Sequence, residues 1–218
     1  MFIPRKYIDD LFILLNENSI NYILIKNINN ELPEKLINGK DIDILVHPGS
    51  KQQFENIMLE NKYYKHTHPL GIKNGWYFSY GLQEYQFWKK ADINYDLFID
   101  TSFTLCCKSL IPKIWIPLDK KINDAIWEKK YFNEKNLNWQ IDDQNLIVYL
   151  IVRCIFDKQH FSTNYISEIQ EYNSLLSDNY VNEALRLIFF KFTPRLIELI
   201  QNNKFDLIFH EYITFLEY

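Results

Sequence analysis

The stretch DIDILV, residues 41–46, puts two carboxylates into an element that otherwise reads as a buried strand. Side chains alternate across a strand, so Asp41 and Asp43 share one face while Ile42, Ile44 and Val46 lie on the other. Carboxylates on alternate residues of a strand sit about 7 Å apart at Cβ. They repel one another and lose hydration unless a cation offsets them or one of them stays protonated. Hard oxygen donors of this kind suit Mg²⁺, with Mn²⁺ as the alternative ion.

A third acid is then expected on a neighbouring strand, and the segment ADINYDLFID, residues 91–100, offers one. Ile93, Tyr95, Leu97 and Ile99 form one face; Asp92, Asn94, Asp96 and Asp100 form the other. Asp96 stands mid-strand among apolar neighbours and is the expected third ligand. Asp92 and Asp100 lie nearer the strand ends, where solvation explains them. Three acids on two strands can hold two ions about 4 Å apart, which clamp the attacking and leaving oxygens in phosphoryl-type transfer.

The surrounding pattern supplies the scaffold. Residues 5–17 carry apolar positions at helical spacing. NYILIKN (21–27) reads as a central strand, and the turn-rich stretch 27–40, with Pro33, as a loop. Ser50 and Gln53 form a capping-box pattern that opens a helix. GWYFSYG, EYQFWKK and INYDLFID read as successive strands, the last two joined by a turn near Lys90 and Ala91. From about residue 141 the chain becomes helical: 142–158 with Asp143 as N-cap, then 162–178 and 178–192, with Pro194 interrupting the chain beyond. The expected class is α+β, a mixed central β-sheet flanked by helices with a C-terminal helical bundle. An α/β domain is placed at 1–120, and a connecting segment with the helical domain at 121–218.

Composition narrows the partners. The 218 residues carry a net charge of −4, which argues against a long nucleic-acid partner. Hydrophobic residues make up 47 % with only 5 Gly, which excludes a disordered chain. The odd set Cys106, Cys107 and Cys154 has no CxxC spacing and points to reduced thiols in the cytoplasm. Asp9 and Asp10 before a short apolar run make a poor signal peptide, and no run reaches membrane length. His66 and His68 form an H-x-H without an evident third ligand, so zinc is set aside. The aromatic stretch 76–88 reads as sheet packing first and a stacking wall second. Arg153, inside LIVYLIVRCIF, needs a partner in so apolar a setting and can face a cleft to meet phosphate.

The order strand, loop, DIDILV, capped helix, then YDLFID resembles the nucleotidyltransferase fold typified by DNA polymerase beta and the small bacterial nucleotidyltransferases. The resemblance covers roughly residues 20–100. It implies that Asp41, Asp43 and Asp96 ligate Mg²⁺, with Asp96 also helping to deprotonate the acceptor hydroxyl. That family ends its first strand in a glycine-containing turn; here Lys26 and Asn27 stand in its place. A lysine there holds phosphate as a point charge, so Lys26 and Asn27 are the expected phosphate contacts, with Lys40, Ser50 and Arg153 as further ones. The implied partners are an NTP and a small, phosphorylated or sugar-like acceptor, with no long nucleic acid and no membrane. The alternatives are a nucleotide-binding module of the same fold without transfer activity, or a phosphocholine-type or protein-modifying transferase.

Overall fold

The computed structural model describes residues 1–67, 85–109 and 115–217. In chain order, helix α1 (Arg5–Glu17) precedes strands β1 (Tyr22–Leu24) and β2 (Asp41–Val46), and helix α2 (Lys51–Glu60) comes next. Then come β3 (Tyr64–Thr67), β4 (Tyr85–Asp92), β5 (Tyr95–Ser102), β6 (Cys106–Lys108), β7 (Trp115–Pro117), α3 (Lys120–Lys129), β8 (Tyr131–Asn133) and β9 (Asn138–Gln140). The remainder is helical: α4 (Asp143–Val152), a π-helical stretch Arg153–Lys158, α5 (Thr163–Glu171), α6 (Asn179–Phe189), α7 (Thr193–Gln201) and α8 (Phe205–Thr214). The class is α+β, with a mixed central sheet flanked by helices and a helical C-terminal part.

The main sheet has seven strands in the order β3-β4-β5-β2-β1-β9-β8. β2 runs antiparallel to β1 and parallel to β5, and β9 joins β1 in parallel. The sheet therefore draws strands from both sides of residue 120. β6 and β7 form a separate ribbon.

Each face of the sheet buries a different partner. Ile42, Ile44 and Val46 pack with Ile8, Leu11, Phe12 and Leu15 of α1 and with Phe54, Ile57 and Met58 of α2. The i, i+3, i+4, i+7 spacing in α1 is the apolar stripe of a helix lying on a sheet. Ile23 and Leu45, on the opposite face, belong to a second core built around Ile147–Val152 of α4. α4 is apolar on every side, as a central core helix must be. Asp41 and Asp43 project on the face turned toward this helical half.

Several local expectations are corrected. The β4–β5 hairpin turns at Ile93 and Asn94, where Asp92 pairs with Tyr95, and not at Lys90 and Ala91. Asp142, not Asp143, caps α4: its carboxylate accepts from the amides of Gln144 and Asn145 at 3.1 Å. The expected capping box at Ser50 does not form, because the Gln53 amide donates to the Asn18 carbonyl instead. Pro194 sits in the first turn of α7, where its missing N–H does no harm. The expected strand at 75–81 and His68 lie outside the described residues. Among the described residues, no helix is long and apolar enough to cross a membrane.

Candidate metal and phosphate site

Parallel pairing of β2 with β5 sets Asp41 beside Phe98 and Asp43 beside Asp100. Paired residues on adjacent strands point to the same face about 4.8 Å apart, so Asp43 and Asp100 are direct neighbours. One carboxylate oxygen from each of Asp41, Asp43 and Asp100 lies within 4.8 Å of the others.

The third acid is therefore Asp100 and not the expected Asp96. Asp96 faces the same way but pairs with Lys90 on β4, and its amide donates to Asn38 Oδ1 at 2.9 Å. It stands two residues before the position beside Asp41, about 7 Å along the strand. Alternation of apolar and polar residues fixes the face of each acid, whereas the register between two strands comes from pairing and packing.

One cationic side chain pairs with the triad and a second acts on it by charge. Lys26 Nζ lies 2.8 Å from Asp43 Oδ2, with both side chains largely buried. Arg153 begins the π-helical stretch that ends α4. Its Nε donates to the Tyr165 hydroxyl at 3.1 Å, and its Nη1 to the Tyr149 hydroxyl at 3.2 Å. Its Nη1 is also 3.5 Å from Asp157 Oδ2. Asp157 in turn accepts the Lys108 amide at 2.9 Å, which ties the β6–β7 ribbon to this corner. π-helical insertions often mark functional sites, because the extra residue re-aims side chains out of the helical ladder.

The charges are mutually felt. Burial works against the Asp41 carboxylate, but the hydrogen bond to Asp100, its own backbone amide and the positive charges of Lys26 and Arg153 outweigh it and hold Asp41 below the usual range. Burial also opposes the Arg153 charge, but Tyr149, Tyr165, Asp43 and Asp157 overcome it and raise the guanidinium. Lys158 is pushed down by burial and by Arg153, Lys26 and Lys108. Burial raises Asp157. Lys26 and Arg153 thus act on the carboxylates, while Lys108 and Lys158 act on Asp157 beside Arg153; three carboxylates with such cations nearby fit a hard dication carrying an anionic ligand.

The other expected phosphate contacts lie elsewhere or serve the scaffold. Asn27 pins its own loop: its Nδ2 donates to the Leu32 carbonyl at 3.2 Å, and its Oδ1 accepts the Leu32 amide at 2.8 Å. Lys40 pairs with Glu31. Ser50 lies past the C-terminal end of β2, where its hydroxyl accepts the Asn21 amide at 3.3 Å, while the acids occupy the opposite half of that strand. Lys26 is the one that pairs with the triad, and Arg153 acts on it by charge. Asp100 is on the acid-bearing face in the sequence, but ordinary solvation near a strand end accounts for it equally well; Asp157 and Lys158, spaced four and five residues after Arg153, read as a routine helix pair and a helix-end cation. No protein-family model matches the chain, and a search of curated proteins finds no match.

Proposed function

We propose that the protein is a Mg²⁺-dependent nucleotidyltransferase that moves a nucleotidyl group from an NTP to the hydroxyl of a small acceptor. The observation that carries this reading is the convergence of Asp41, Asp43 and Asp100 from two adjacent parallel strands, their oxygens within 4.8 Å. The order of elements around them supports a nucleotidyltransferase-type fold. Asp41, Asp43 and Asp100 would hold the metal, which when bound polarises the α-phosphate and neutralises charge on the leaving group. Lys26, Arg153 and Lys158 supply the charge that receives the phosphates. The acceptor oxygen forms a bond to the α-phosphorus, the bond to the bridging oxygen breaks, and pyrophosphate leaves. Asp100 takes the hydroxyl proton, the role the resemblance gave to Asp96. Catalysis is then mostly positioning and electrostatics. Three cysteine thiols outside any disulfide fit a reducing compartment, so we place the protein in the cytoplasm.

Pyrophosphate release, measured with each NTP against a panel of sugar phosphates and alcohols, tests the activity. Asp100→Asn should lower the rate by about 10²-fold or more, in line with losing one transition-state electrostatic group; an unchanged rate sinks the assignment. A second reading, a nucleotide-binding module without transfer, draws on the ion pair between Lys26 and Asp43. It predicts a thermal shift with Mg²⁺ and NTP but no pyrophosphate with any acceptor.

A further inference from the structure

We propose that Lys26 occupies the second cation position of the carboxylate site, so that the site takes a single divalent ion. The inference rests on the nucleotidyltransferase reading above and specifies how its charge is arranged. In the usual two-oxygen mode, a carboxylate that bridges two ions offers one oxygen to each. Asp43, the residue flanked by both Asp41 on its own strand and Asp100 on the next, is the one placed to bridge. Its Oδ2 is already held by the Lys26 ammonium at 2.8 Å, in a setting where the two side chains are only 15 % and 14 % exposed. One oxygen remains for a metal.

The rest of the triad agrees with that count. Asp41, Asp43 and Asp100 each offer one oxygen within 4.8 Å of the others, enough donors for one octahedral ion completed by waters and phosphate. Charge agrees as well. Three carboxylates are balanced by one ammonium and one dication. A second dication would leave the site strongly positive beside Arg153, whose own ion pair, among the described residues, is with Asp157 at 3.5 Å. Like charges gathered in a partly buried site repel one another. The lysine also stands where the resemblance leads one to expect glycine. At that place a side chain that brings a fixed positive charge can do by ion pairing what a second metal does by coordination.

Mn²⁺ binding to the full chain, counted by titration and read by electron paramagnetic resonance, tests this. The protein is measured with Mn²⁺ alone and with Mn²⁺ plus inorganic tripolyphosphate. One protein-bound Mn²⁺ per chain with no spin-coupled pair is expected in both. In Lys26→Met, and independently in Lys26→Gln, a second Mn²⁺ should bind and the spectrum of an exchange-coupled pair should appear, with circular dichroism confirming the fold of each. A coupled pair in the unaltered protein overturns the inference while leaving the transferase reading intact. So does a folded lysine variant that still takes one ion. If the unaltered protein binds no Mn²⁺ at millimolar concentration, the transferase reading falls and takes this inference with it.

Discussion

Arg153 acts on Asp41 and Asp43 by charge alone, its guanidinium steered by the Tyr149 and Tyr165 hydroxyls. A charge-assisted hydrogen bond contributes about 1.5–3 kcal/mol, so Arg153→Ala should weaken Mg²⁺–NTP binding by roughly tenfold or more, read as a Kd by calorimetry. Arg153→Lys should recover little of it, because the planar fork that meets both tyrosines is lost. Asp41 carries a pH consequence. Its carboxyl is held below the usual range in the folded protein, so its contribution to stability is full above the unfolded value and disappears as pH falls through the folded one. Asp143, Asp157 and Glu168 are raised and act in the opposite sense. In the presence of a chelator, Asp41→Asn should therefore lose less Tm than the parent between about pH 5 and pH 3, the range where carboxylates titrate. An equal or steeper loss would show that Asp41 is not held down.

At the scale of elements, three helices end in the same device without glycine. After α1, α2 and α7 the chain turns through Ser19, Lys62 and Asn203, each with positive φ. In each case the next amide reaches back to a carbonyl five residues earlier: Ile20 to Leu15, Tyr63 to Met58, and Lys204 to Leu199. This is the Schellman closure, which normally favours glycine at the left-handed position. Lys62 is exposed with φ +66, so Lys62→Gly should raise stability by about 1 kcal/mol, seen as a higher denaturation midpoint. Asp142→Ala should lower stability by about 1 kcal/mol through loss of the α4 cap. The same residues explain what could be read in advance. The stripe Ile8, Leu11, Phe12, Leu15 and the alternation in DIDILV announced a helix and a half-buried strand directly. The helix ends were obscured because a chain with 5 Gly rarely spends one on a terminus. The choice between Asp96 and Asp100 was obscured because both share a face, and only the alignment of β2 with β5 separates them. β8 and β9 were missed because strands of three residues carry too few alternations to stand out from a loop.

At the scale of the whole molecule, the two cores lie back to back through the sheet. Ile23 and Leu45 face the helical half while Tyr22, Leu24, Ile44 and Val46 face α1 and α2. Truncation on either side should therefore be felt globally. Ile44 is fully buried, so Ile44→Ala should destabilise by about 2–5 kcal/mol and shift the unfolding of α1 and of α6 together when monitored by hydrogen exchange. Separate transitions for the two halves would show that they fold independently.

The pairing of β1 with β9 joins Leu24 to Gln140. During synthesis, the flank of β1 stays bare until that partner has left the ribosome more than a hundred residues later. A nascent chain halted near residue 120 would present a hydrophobic ribbon with unsatisfied amides, the kind of template that recruits other chains. The contact also spans a long loop, and such distant closures slow the search for the native state. Such a fragment should precipitate or bind chaperones, whereas the full chain, with β9 paired and the helical half in place, should stay dispersed.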